Sequence, residues 1–280
     1  KELPKNNIVT IQPDSLRILH NPLTGWVLYA SMGVDAADFW AQYDHMYIPE
    51  LGHNVSVTDY AHTLYIRASW TDFNPQEDVY GWKIDSNLRA YIEGAYQRNM
   101  RLAFRVVVDS RDKRTEFTPQ FVKDAGAKGF MNKGKWSPYS DDSVFQKYYT
   151  KFVKALAKDF NDPSKVEFID GFGLGKWGEY HTMIYSTGDD TPKKAVFDWV
   201  TDLYSQVFDK VPVFVNYHRW IGTSKEWDGN NYDKDTERLI GKAVAKGYSL
   251  RHDAFGMKTY YSTWERNFIA KWKYLVPVVM

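Results

Sequence analysis

Short β-rich runs alternate along the chain with longer stretches whose apolar residues recur at helical spacing, the pattern of successive parallel βα units. Gly25 to Ala30 predicts a first strand, followed by an irregular aromatic region. His62 to Trp70 predicts a second, and after it Ile84, Leu88, Ile92 and Ala95 fall on one helical face. Leu102 to Val108 is nearly continuously apolar, as a strand buried on both faces requires. A long loop with Pro119, Gly126, Gly129, Gly134, Trp136 and Pro138 leads to Ser143, read as an N-cap, and to the stripe Phe145, Tyr149, Phe152, Leu156, Phe160. Val166 to Asp170 predicts strand four. Thr191-Pro192 opens a helix that turns Val196, Trp199, Val200, Leu203 and Val207 inward. Val211 to Asn216 predicts strand five, Asp235 to Lys246 a helix ended by Gly247, Tyr248 to Asp253 strand six, Ser262 to Lys273 a helix and Leu275 to Met280 strand seven.

This count gives the fold class α/β, a (β/α)8 TIM-type barrel of which the chain covers about seven of the eight units, where a full barrel typically spans ~250 residues. The 280 residues, 44% of them hydrophobic, are read as one barrel domain, 1–280, whose C-terminal end is expected beyond 280. A doubly wound open sheet is the competing fold, but no G-x-G-x-x-G follows strand one.

Composition then narrows the chemistry. Lys and Arg number 36 against 35 acidic residues, so no net field attracts nucleic acid or an anionic membrane. Without cysteine there is no disulfide framework, thiolate nucleophile or Cys-ligated zinc. No apolar run is long enough to span a bilayer, and Lys1 to Asn7 reads as the start of a trimmed, soluble chain. The 11 Trp, 20 Tyr and 16 Phe make up 17% of the residues, which favours stacking on sugar rings, although many of these rings are needed for the core.

In a barrel, chemistry gathers at the C-terminal ends of the strands. Those ends carry Arg67 and Trp70 on strand two, Arg105 and Asp109 on strand three, and Trp177, Glu179 and His181 after strand four. Strand five supplies Asn216 and His218, with Trp220 just beyond, and strand six His252 and Asp253. Cleavage of a glycosidic bond requires one carboxylic acid to protonate the leaving oxygen and a second carboxylate to attack or to activate water. Glu179 is the first choice, because it follows the run Gly171-Phe172-Gly173-Leu174-Gly175-Lys176-Trp177-Gly178. Ordinary roles compete elsewhere: Arg67 and Arg105 as counter-ions of Asp170, Asp109 as the start of a charged solvated loop, His20 and His62 as structural, Trp26 as core, Trp82 as a loop anchor. His218, His252, Asp253 and Glu179 lack the spacing of a metal motif, so neither metal nor other cofactor is expected.

The run Trp70-x-x-Phe73-x-Pro75, then Tyr80-Gly81-Trp82-x-Ile84-Asp85, then Leu102-Ala103-Phe104-Arg105, resembles the opening strands of the clan of retaining barrel glycosidases that includes many beta-galactosidases. Gly175 to His181 falls where that clan keeps its acid/base. The resemblance covers about Asn21 to Met280 and is nearest to poorly characterised glycosidases of polysaccharide-degrading bacteria. It departs in Gly178, where the clan usually has Asn. The resemblance implies a hydrolase of plant or host glycans, secreted, periplasmic or at the bacterial cell surface, with Glu179 as acid/base, Arg67 steadying the nucleophile and Asn216 or His218 on a sugar hydroxyl. It also implies a nucleophile at the end of strand seven, expected just after Met280, with Asp253 as the internal alternative and Glu265 behind it. Trp70, Trp177 and Trp220 are expected to offer indole faces to the cleft. The rival is a glycan-binding barrel that lost one carboxylate; a sugar isomerase or aldolase would want a buried Lys or a metal cluster.

Overall fold

The structure, a computed structural model, describes residues 25–30, 32–111, 115–225, 231–253 and 263–279. Seven strands form one sheet: β1 (Trp26–Tyr29), β2 (Ala61–Ser69), β3 (Arg101–Val107), β4 (Val166–Asp170), β5 (Val213–Asn216), β6 (Ser249–Arg251) and β7 (Val278–Val279). Their spatial order is their chain order, and every neighbouring pair is parallel. A doubly wound sheet would reverse direction part-way across, so the winding is that of a barrel. Among the described residues β1 and β7 are not paired with each other.

Six longer helices pack against the outer face: α1 (Ala36–Asp44), α2 (Ser86–Gln97), α3 (Ser143–Phe160), α4 (Lys193–Val207), α5 (Thr236–Ala245) and α6 (Thr263–Trp272). Strand residues alternate sides with period two. Leu64 and Ile66 of β2, Leu102 and Phe104 of β3, and Val213 and Val215 of β5 turn outward to the helices and form the main core with Phe152, Leu156, Val200 and Ile240. Tyr65, Ala103, Phe168 and Phe214 turn inward and make a separate small apolar cluster.

Several expectations shift for local reasons. Ile84 is 61% exposed, because a short helix, Gly81–Ile84, ends there and Asp85 caps α2 by accepting from Leu88 N at 2.7 Å. The cap of α3 is Asp142, whose carboxylate accepts from Phe145 N at 2.8 Å, so Ser143 is the first helical residue. Pro192 is the cap residue of α4. Strand seven is shorter than expected, since Leu275 and Val276 still donate to Trp272 O in the last turn of α6. The irregular region after β1 contains α1 and the hairpin Met46–Ile48 with His53–Val55, and the glycine-rich loop contains the hairpin Gly129–Asn132 with Lys135–Pro138. Trp26, expected in the core, is 74% exposed on the edge strand, where only Leu28 is buried. Trp82 does anchor its loop, stacking on Tyr80 at 4.8 Å and donating from Nε1 to Asp159 at 2.8 Å. No helix among the described residues is long and apolar enough to cross a membrane.

Candidate active site

The inner face of the sheet changes character toward the C-terminal ends of the strands. Beyond the apolar cluster come Arg67 on β2, Arg105 on β3, Asp170 on β4, Asn216 on β5 and Arg251 on β6, which strand alternation turns to the same side. Arg105 is at the centre and 2% exposed. Its Nε donates to Asp170 Oδ2 at 2.8 Å, Nη1 to Glu179 Oε1 at 3.2 Å and Nη2 to Asp253 Oδ2 at 2.8 Å. Arg251 pairs with Asp170 and donates from Nη2 to Asp253 Oδ1 at 2.5 Å. The Tyr65 hydroxyl accepts from Arg251 Nη1 and donates to Asp170 Oδ2, both at 2.6 Å, and burial pushes its phenol well above the ordinary range.

Three carboxylates therefore share two guanidiniums, which leaves one negative charge in excess. Burial works against an ionised Asp253, but the Arg105 and Arg251 guanidiniums outweigh it and hold the carboxyl well below the usual carboxylate range.

The segment carrying Glu179 is held in an unusual backbone. After β4, Gly173 has φ +71, and a Cβ there would meet Tyr149 Oη and Val106 O at 2.5 Å. Trp177 (φ 60), Tyr180 (φ 62) and Thr182 (φ 51) are left-handed without being glycine, and Gly178 between them has φ +73. Such residues concentrate at functional sites, where surrounding contacts impose them. Here Trp177 O accepts from Arg67 Nη2 at 3.0 Å, Tyr180 O from Gly222 N at 2.7 Å and Thr182 O from Arg111 Nη2. At Gly178 the backbone is left-handed and a Cβ would lie 3.5 Å from Arg105 Cδ.

Glu179 Oε2 lies 3.5 Å from His181 Nε2, whose ring is fixed by Thr182 Oγ1 on Nδ1 at 2.8 Å and by stacking on His218 at 4.7 Å. His218 Nδ1 accepts from Trp220 N at 3.1 Å. Burial, then the neighbouring His181, His252 and Arg219, push the His218 imidazole well below its ordinary value, so it is neutral near pH 7.

Glu179, Asp253, Arg105, Asn216, His181 and His218 are thus brought to one rim; Asn216 reaches Asp253 through Nδ2 at 3.4 Å. Arg67 borders this rim, giving its bonds to Trp177 O and, at 3.4 Å, Tyr29 Oη. Trp177 is partly exposed and edge-on to His181. Trp70 is a correction: it is fully enclosed, because the chain turns into the helix Trp70–Phe73 and drives the indole among Phe121, Phe145, Tyr149 and Phe152. Trp220 is buried beside the site and shows no open ring face. Asp109 does not begin a solvated loop: it is buried, and Arg111 donates to it from N at 2.9 Å and from Nε at 2.7 Å. Arg105 does neutralise Asp170, as its ordinary reading held, and in addition binds the two candidate catalytic acids. Glu265 is buried against Arg219 at 2.8 Å, away from Glu179. His20 and Met280 lie outside the described residues.

Sequence reasoning missed Tyr65 and Arg251. The signals were the period-two pair Tyr65 and Arg67, and the position of Arg251 next to His252-Asp253. Among the described residues no group of three or more His, Asp or Glu converges as metal ligands do.

No family model matches the chain, and no curated protein does. Solved structures do. The catalytic domain of a beta-amylase from Paenibacillus polymyxa superposes with a TM-score of 0.53 at 10% identity, over 90% of this chain and 84% of that one. An endo-glycoceramidase II from Rhodococcus sp. gives 0.46 at 13%, over 91% and 71%. An intracellular xylanase from Thermoanaerobacterium saccharolyticum gives 0.44 at 10%, over 90% and 83%. The match to the beta-amylase domain agrees with the winding of the sheet: the fold is an α/β barrel.

Proposed function

We propose that this chain is the catalytic barrel of a glycoside hydrolase in which Glu179 donates a proton to the leaving oxygen and Asp253 is the second carboxylate. The observation that carries the reading is that the two acids, one after β4 and the other after β6, are gripped side by side by one guanidinium, Glu179 by Arg105 Nη1 at 3.2 Å and Asp253 by Nη2 at 2.8 Å. Asp253 is kept ionised by the two guanidiniums, as the second carboxylate of such cleavage must be, and the other carboxyl of the pair, Glu179, takes the role of proton donor. As the glycosidic bond breaks, Glu179 gives its proton to the departing oxygen while an Asp253 oxygen bonds to the anomeric carbon. Glu179, now a carboxylate, then takes a proton from water as the water oxygen displaces Asp253 from that carbon. Carboxyls held by the two Nη atoms of one guanidinium are nearer to the ~5–5.5 Å separation of a retaining pair than to the ~6.5–9.5 Å of an inverting one, so retention is the preferred outcome. Trp177 is the ring surface offered to the substrate. That the substrate is a plant or host glycan, met outside the cytoplasm, rests on the sequence resemblance alone.

The test is Glu179→Gln assayed on nitrophenyl glycosides and on polysaccharides. Turnover of natural linkages should fall by about 10²–10⁴-fold, while sugar binding stays within a few-fold, because a proton donor is lost without a change of shape. Substrates with strongly acidic leaving groups should lose less in the first step. Equal losses on both substrate types would reject Glu179 as the proton donor.

A further inference from the structure

One arginine at the rim stays outside the charge network. Arg67 is in register with Arg105 on the neighbouring strand. Arg105 and Arg251 meet carboxylates, whereas Arg67 makes no ion pair with a described residue. Its Nη groups go to Trp177 O and Tyr29 Oη, and its Nε is buried with no hydrogen-bond partner among the described residues. Buried donors in folded proteins are satisfied with few exceptions, and those few call for an explanation.

The guanidinium lines a cavity of about 220 Å³ together with Tyr29, Met32, Ser69, Asp72 and Phe117. At ~30 Å³ per water this is space for about seven waters, enough for one substituted sugar ring and too little for a chain. Aromatic and thioether side chains supply apolar wall. Asp72 is held in place by a capping box, Asp72 Oδ2 accepting from Ser69 N at 3.1 Å and Ser69 Oγ from Asp72 N at 2.9 Å. Its carboxylate is suited to receive ring hydroxyls, and it does not pair with Arg67. Arg67 ties the cavity to the segment that carries Glu179, because it also holds the carbonyl of Trp177, two residues before that acid.

We propose that this cavity is a subsite for a sugar ring bearing an anionic substituent, the carboxylate of a uronic acid or a sulfate ester, received by the Nη groups of Arg67. The inference rests on the glycoside hydrolase reading and specifies its substrate class. A neutral ring would leave the charge of this guanidinium, which no described carboxylate meets, unanswered, while a planar or tetrahedral oxyanion answers it with charge-assisted hydrogen bonds.

Binding can be measured without turnover, so the test survives failure of the catalytic assignment. NMR titrations of the Glu179→Gln protein would compare methyl β-D-glucuronide, methyl β-D-glucoside 6-sulfate and neutral methyl β-D-glucoside. One or both charged rings should bind about tenfold or more tighter than the neutral one, the stronger identifying the substituent, and the preference should shrink at high salt. Arg67→Gln should bring the charged rings to the neutral ring's affinity, and Arg67→Lys should restore part of the preference. If Arg67→Gln does not fold, the salt dependence together with ligand-induced shifts of Tyr29 and Phe117 resonances decides the matter. Equal affinities, a charge preference that persists in Arg67→Gln, or inorganic sulfate competing as well as the sulfated sugar would overturn the proposal. Hydrolysis of neutral glycosides with no charge preference would overturn it while leaving the hydrolase reading intact.

Discussion

Replacing Arg105 by methionine, close in length and without charge, removes the group that binds three acids at once. The guanidinium is 2% exposed, Asp170 is 1% exposed, and its other two partners are mostly covered, so solvent cannot take its place. Breaking a buried pair by removing one partner costs about 3–5 kcal/mol, since the abandoned charge stays desolvated. At ~2–4 °C per kcal/mol for a chain of about this size, the thermal midpoint at pH 7 should fall by roughly 6–20 °C. The pH dependence is the sharper readout. Wild-type Asp253 is depressed in the folded state, so its contribution is present above the unfolded value near ~3.9 and is lost as pH falls through the lower folded one. In the variant, the guanidinium left to oppose the burial of Asp253 is that of Arg251, so Asp253 takes up its proton at higher pH, and folding no longer suffers from it once it is neutral. The gap between variant and wild type should therefore be widest near pH 7 and narrow below about pH 4. Urea or thermal denaturation at the two pH values measures it. A loss under about 1 kcal/mol at pH 7, or one that does not change with pH, would refute the view that Arg105 compensates buried charge.

Trp70→Ala should destabilise the fold by about 3–5 kcal/mol, as deletion of a fully packed indole does, and leave glycan affinity unchanged in the folded fraction; calorimetric unfolding and a binding titration separate the two. Gly178→Ala puts a Cβ at φ +73, 3.2 Å from Val106 O, and should cost about 1–2 kcal/mol; because the push acts beside Glu179 and Arg105, kcat should fall more than KM rises in steady-state assays.

The barrel was legible because β and helical periods both register in the pattern. Val166 to Asp170 was placed to the residue, since Asn161-Asp162-Pro163 ends the helix before it and a glycine run follows. Short elements were lost: α1 and the two hairpins carry too few residues to establish a period. Trp70 misled because the residue after a strand reads as rim, whereas the chain folds back at once and buries the side chain under α3. Trp26 misled in the opposite sense, since a sequence does not tell an edge strand from a central one. Glu179 was legible from the glycines that no strand or helix would keep. The arginine-centred network was only half legible: Arg105 and Asp253 were singled out as rim residues, but the closing members, Tyr65 and Arg251, look in a linear reading like an ordinary strand aromatic and a solvent-facing base.

The left-handed backbone of Trp177, Tyr180 and Thr182 has a consequence on the time axis. Each such residue costs about 1–2 kcal/mol relative to a relaxed conformation, so the three together hold several kcal/mol that local opening of the segment would release. Release is opposed by the grips of Arg67, Gly222 and Arg111 on the three carbonyls. The segment is like a sprung catch: rigid while all three grips hold, and quick to let go when one is cut. In amide hydrogen exchange, removal of Arg67 or Arg111 should therefore loosen the whole stretch from Trp177 to Thr182 together, long before the sheet beneath it exchanges.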